Sequence, residues 1–226
     1  MNPGRRPPIG QLGPDTNLAG RHEIYRLVIV MALLLLGVGW TAAQRYPIAL
    51  DTDEGINLAK ATLIADGYRL HRDIWSDQPG GFAYLLVGWR GVVGSSIEAA
   101  RMLPLLLSAT ALLAIGWLVS QLTGPRSGTL TVLLILCTHR YIRLSTSVMI
   151  GLPALCVAIA ALVPLVLVRR QTSFWLKLSL IAASGVLFGL ALQIKLWVMA
   201  LIPLVMVLCA ISRPGLRRLG RVGLIA

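Results

Sequence analysis

The chain carries repeated apolar runs that contain no charged residue and approach the thickness of a bilayer in length. The clearest are LVIVMALLLLGVGW from Leu27, LPLLLSATALLAIGWLVSQL from Leu103, GLPALCVAIAALVPLVLV from Gly151 and LWVMALIPLVMVLCAI from Leu196. A helix needs about 17–25 such residues to cross roughly 30 Å of hydrocarbon. One such run fits inside a soluble core, but several within 226 residues do not. The expected fold class is therefore all-α and integral to a membrane, with about six transmembrane helices. Only 13% of the residues are charged, against roughly 25% in an ordinary soluble domain.

Charge sets the boundaries. Residues 1–22 are rich in Pro, Gly and Arg and read as a disordered cytoplasmic tail. The membrane region then covers residues 23–212. Its first span is expected from Ile24 to Ala43. It reads as a retained signal anchor, being longer than an h-region of roughly 7–15 residues and lacking an A-x-A site. Residues 44–97 form one large hydrophilic loop that holds Asp51, Asp53, Glu54, Asp66, Asp73 and Asp77, with Glu98 at its edge. Further spans are expected at residues 99–122, 128–142, 147–168, 177–194 and 196–212, and residues 213–226 form a basic cytoplasmic tail.

Two juxtamembrane helices are expected inside the outer loop. DEGINLAKATLIADG carries capping signals: Asp51 or Thr52 at the start, Asp51 and Glu54 at capping-box spacing, and Gly67 as the stop. From Gly81 to Val93, Phe82, Leu85, Leu86, Trp89 and Val93 recur on one helical face. That segment is short for a span and contains Arg90, so it is expected to lie in the membrane interface with Tyr84 and Trp89 at headgroup depth. Arg126, then Arg169, Arg170 and Lys177, then Arg213, Arg217, Arg218 and Arg221 consequently fall on the cytoplasmic side together with the N-terminus. This is the positive-inside arrangement, and it places the acidic loop outside a plasma membrane.

The formal charge of +12 is accounted for by these flanking arginines, and no nucleic-acid motif accompanies it. Cys137, Cys156 and Cys209 fall within apolar runs, have no CxxC neighbour, and read as small buried hydrophobes. Gly185 and Gly189 form a GxxxG whose expected use is close packing inside the chain.

Chemistry is expected in the acidic loop. Asp53-Glu54 at a helix start reads either as a cap or as a general base or metal-binding pair beside the membrane. Asp77-Gln78-Pro79 reads either as a turn before a helix or as a second carboxylate folded back beside the first, where magnesium or manganese would suit the oxygen ligands. His139, Arg140, Arg143 and Lys195 lie near the outer ends of spans, and Arg69 and Arg72 lie in the loop. Such cations either snorkel to headgroups or neutralise a phosphate.

At these residues the chain resembles membrane glycosyltransferases of the GT-C fold, in particular the protein mannosyltransferase and aminoarabinose transferase families. The resemblance rests on Asp53-Glu54, Gly67, Asp77, Gln78 and Pro79 in order, on EAARMLPLLLSA from Glu98, and on LFGLALQIKLWVMALIP from Leu187. It implies inverting transfer of a sugar from a polyprenyl-phosphate donor to an acceptor outside the cytoplasm. Carried over, Asp53 would be the catalytic base, and Glu54, Asp77 and Gln78 would bind acceptor or metal. Lys195, with Arg69, Arg72 and Arg143, would meet the donor phosphate. The pattern departs at Gly151, where these families usually place a second acidic residue. They also continue with further spans, so the chain is expected to match an N-terminal half, with a partner subunit supplying the rest. The alternatives are a non-catalytic relative of the same fold and a transporter, the latter expected to show inverted repeats.

Overall fold

The computed structural model describes residues 51–211, together with Arg26 and Val30. Both tails and most of the first expected span lie outside the described residues. The helices are α1 (Thr52–Ala65), α2 (Gly81–Val93), α3 (Ile97–Thr123), α4 (Pro125–Leu136), α5 (His139–Ser145), α6 (Gly151–Val168), α7 (Phe174–Ile194), a 3-10 segment (Leu196–Leu201) and α8 (Ile202–Ile211). Among the described residues there is no strand, only an isolated bridge between Leu70 and Ile74.

The first two helices form where the capping signals place them. The Asp51 side chain accepts the Asp53 amide at 3.3 Å and caps α1. Gly67 ends that helix with φ 97°, a conformation that L side chains rarely adopt. α2 starts directly after Pro79-Gly80, and Ser96 caps α3 by accepting the Ala99 amide at 3.1 Å. The apolar face of α2 divides, however. Phe82 and Leu86 are buried in the protein core, whereas Leu85 and Val93 stay exposed with Tyr84 and Val92. Part of the stripe thus docks the helix on the bundle.

Three helices are long and apolar enough to cross a membrane: α3 with 27 residues, α6 with 18 and α7 with 21. Of the five spans expected within the described residues, these three are found as single long helices. The span expected at 128–142 is broken, because the helix stops at Leu136, Thr138 is extended, and α5 restarts at His139. At 1.5 Å per residue, α4 rises only about 18 Å. The span expected at 196–212 opens with the 3-10 segment, and α8 has ten residues.

α6 packs most extensively on α7, and α3 packs on both α4 and α6. The interior at these crossings is built from small residues, with Ala100, Ala154, Ala158 and Ala191 fully buried, so backbones approach closely. α7 turns the rest of its surface outward: Trp175, Val186 and Leu190 are all more than half exposed. A long helix whose one charge, Lys177, sits in its first turn and that exposes so much apolar surface requires lipid around it.

The glycines that bring helices together are not those of the GxxxG. A Cβ on Gly185 or Gly189 would meet nothing within 4 Å, which corrects the expectation of packing inside the chain. A Cβ on Gly128 would lie 2.4 Å from the Gly116 carbonyl oxygen, and one on Gly81 would lie 2.6 Å from that of Gln193. Cys156 is buried as expected, but Cys137 is exposed at the break after α4.

Gly81→Ala and Gly128→Ala are each expected to cost roughly 1–3 kcal/mol through forced backbone shifts. Gly185→Ala is expected to be neutral or stabilising by up to about 1 kcal/mol. Unfolding midpoints of the purified protein in detergent check the ranking, and equal values for all three would contradict it.

Candidate functional site

The site is organised by a buried ion pair that the capping-box reading did not anticipate. Glu54 does not reach back to its own helix start. Arg101 on α3 donates to both carboxylate oxygens, Nε to Oε1 at 2.7 Å and an Nη to Oε2 at 2.8 Å. The Val148 amide also donates to Oε1 at 3.0 Å. One turn further along α1, Asn57 donates to the Val148 carbonyl at 2.8 Å. Two positions one turn apart on α1 therefore grip both backbone polar groups of Val148. The Glu54 side chain is 2% exposed and that of Arg101 16%. This latch fixes α1 against the start of α3 and against the strap that leads into α6.

Asp53, next in the chain to Glu54, is exposed. It lines a cavity of about 750 Å³ together with Asn57, Lys60, Trp75, Asp77, Gln78, Gly151, Lys195 and Trp197. Leu144, Met149, Ile150, Leu152 and Leu155 form its apolar side. Gly81 explains how Asp77 and Lys195 come together: without a side chain there, the start of α2 can abut the last turn of α7. Lys195 follows that turn in extended conformation.

Asp77 accepts from the Gln78 side-chain amide at 2.9 Å and faces Lys60 at 3.7 Å. The Gln78 hydrogen bond, aided by Lys60 and Lys195, holds the Asp77 carboxyl below its ordinary value of 3.8. Its folded value is the depressed one. Its contribution to stability is therefore present above the unfolded value and lost as pH falls through the folded value. Asp77 is thus an anion throughout the neutral range.

The structure brings Asp53, Asp77, Gln78 and Lys195 to one cavity and leaves the other candidates outside its lining. Arg143 pairs with Asp51 at 3.4 Å and Arg72 with Asp73 at 3.6 Å. The Arg69 carbonyl accepts the amides of Arg72, Asp73 and Ile74, a knot that buries Leu70 and Ile74 and turns the arginines out. His139 and Arg140 are exposed on α5. Glu54 is committed to the latch. Among the described residues no group of three or more His, Cys, Asp or Glu is placed to hold a metal. Asp53 and Asp77 are the two carboxylates on the cavity wall, and Asp77 already faces Gln78 and Lys60.

Sequence reasoning missed Lys60, Asn57, Arg101 and Trp75. The signal for the first two was present: Asp53, Asn57 and Lys60 lie at i, i+4 and i+7 on α1, which is one helical face. Gly151 lines the cavity at the start of α6, where a Cβ would meet nothing within 4 Å.

A family model described as dolichyl-phosphate-mannose-protein mannosyltransferase matches residues 77–224. No curated protein and no solved structure matches the chain. The match begins at Asp77, so α1 lies ahead of it, and Asp53 joins the site through geometry alone.

Arg101→Met leaves a buried carboxylate without its cation and is expected to cost roughly 3–5 kcal/mol. The double variant with Glu54→Gln should recover a large part of that loss. Detergent unfolding curves for the two single variants and the double check the coupling. Simple additivity would mean that the pair is not a unit.

Proposed function

The chain belongs to the dolichyl-phosphate-mannose-protein mannosyltransferase family, a membrane glycosyltransferase of the GT-C type, and on that premise we propose that it moves a sugar from a polyprenyl-phosphate carrier to an acceptor on the non-cytoplasmic side. The observation that carries this reading is a cavity in which two carboxylates and two lysines face an apolar wall. A lipid-linked phosphosugar has the matching division into apolar chain, anionic phosphate and polar sugar.

In this mechanism the acceptor hydroxyl attacks the anomeric carbon from the face opposite the phosphate. The carbon–oxygen bond to phosphate breaks and its electron pair leaves on the phosphate oxygen. The acceptor proton passes to Asp53, and the configuration at the anomeric carbon inverts. Asp53 suits the base because it is exposed to the cavity and outside the latch. Asp77, anionic and held by Gln78, orients the acceptor. Lys195, at the end of α7, faces the leaving phosphate, where a cation is most useful as charge grows. The steps need only these side chains and the two substrates.

The topology belongs to the same proposal. Arg170 donates to Gln121, joining the C-terminal ends of α6 and α3. Arg126 opens α4 at that end, away from the acidic cavity. The positive-inside rule makes that end cytoplasmic, with α2 lying along the opposite surface. A cysteine at Arg72, whose side chain is 71% exposed, should react with an impermeant thiol reagent in intact cells lacking the native cysteines. Labelling only after lysis would reverse the orientation.

Asp53→Asn is nearly isosteric and is expected to lower transfer by about 10²–10⁴-fold while leaving the unfolding midpoint unchanged. Radiolabelled sugar transfer from a polyprenyl-phosphate donor checks it. Transfer at the parental rate would reduce Asp53 to a residue of the helix start.

A further inference from the structure

Lys60 is 8% exposed, lies on the cavity wall and was not among the residues that the sequence singled out. An ammonium has three N–H donors. Among the described residues, the Lys60 side chain makes one hydrogen bond, to the Ser76 hydroxyl at 3.1 Å. Asp77 stands at 3.7 Å, beyond hydrogen-bond length. The Trp75 ring centroid is 6.0 Å away, at the outer limit of a cation–π contact. A buried cation is costly unless its donors are used. This one has donor capacity left over, and the space beside it is the cavity.

We propose that Lys60 is a second phosphate ligand: with Lys195 on the opposite element it binds the phosphoryl oxygens of the lipid-linked donor, and Ser76 and Asp77 hold its ammonium in place. The assignment rests on the glycosyltransferase reading of this cavity and adds a residue to it. Both lysines line the same cavity, Lys60 from α1 and Lys195 after the last turn of α7, and a phosphate seated in it would meet a cation from each. The donor phosphate is a diester with one negative charge. When the sugar leaves, the carrier becomes a monoester with up to two. A cation already seated at the phosphate is therefore worth more after the bond breaks than before, which is the condition for raising kcat.

The test uses the full chain in detergent and farnesyl phosphate as the probe, with farnesol and inorganic phosphate as the other arms, read by calorimetric titration. The parent should bind farnesyl phosphate more tightly than either comparison ligand. Lys60→Gln removes the charge and keeps an N–H donor for Ser76 on a side chain one atom shorter. It should lose about 10–100-fold in affinity for farnesyl phosphate, the scale of a charged hydrogen bond, with farnesol binding and the unfolding midpoint unchanged. Equal farnesyl phosphate affinity in Lys60→Gln and the parent would overturn the assignment and leave the glycosyltransferase reading intact. A parallel loss for farnesol would also overturn it, since the variant would then have damaged the cavity. A parent that binds inorganic phosphate as tightly as farnesyl phosphate would overturn the lipid-linked assignment. A parent that prefers none of the phosphates would remove both readings together.

Discussion

A carboxylate with 2% of its side chain exposed has to be matched completely, and in this protein the matching determines where the other parts can lie. Glu54 receives both arms of the Arg101 guanidinium and the Val148 amide. The bidentate geometry fixes direction as well as distance. α1 cannot rotate about its axis without breaking one of these bonds, so Asp53 is held on the cavity side and Asn57 on the strap. The strap in turn sets Met149, Ile150 and Gly151, which line the cavity. A buried ion pair adds little net stability compared with well-packed apolar residues. Its value here is the orientation of α1 against the bundle.

The cavity combines charges that would be costly separately. Lys60 is nearly enclosed and Asp77 half-exposed, and each limits the field of the other. A site with two lysines and two carboxylates is close to neutral when empty, so it can exist at the edge of a low-dielectric layer. Its apolar wall, from Leu144 to Leu155, lies beside that neutral arrangement. Gly151 adds room at the start of α6 and contributes no charge.

How much of this could be read from the sequence depended on how local the signals were. The limits of α1 and α2 follow from Asp51, Gly67, Pro79 and the apolar spacing after Gly81, all of which act within a few residues. The long helices α3, α6 and α7 follow from uninterrupted hydropathy. The break at Cys137-Thr138 and the 3-10 segment after Lys195 do not, because hydropathy is blind to whether an apolar run remains helical. The role of Glu54 was illegible for a different reason. Its partners lie 47 and 94 residues away, and a capping box gave a sufficient local explanation for the same residue. Lys60 was overlooked because Ser76 and Asp77 become its neighbours only when the loop folds back at Gly67. The glycine pair at Gly185 and Gly189 shows the opposite error, a recognisable spacing facing open space, while the glycines at real crossings carry no pattern.

Glu54 leaves the ribosome 94 residues before Val148. At roughly 5–20 residues per second the delay between them is on the order of 5–20 s. Throughout that interval the carboxylate has neither the strap amide nor a completed bundle to receive it, and it cannot enter hydrocarbon as a charge. α1 must therefore stay in water or among headgroups until α3 and the strap have arrived, and it docks late. Insertion of the helices and construction of the site are separate events in the life of this chain, and the latch is the last part to close.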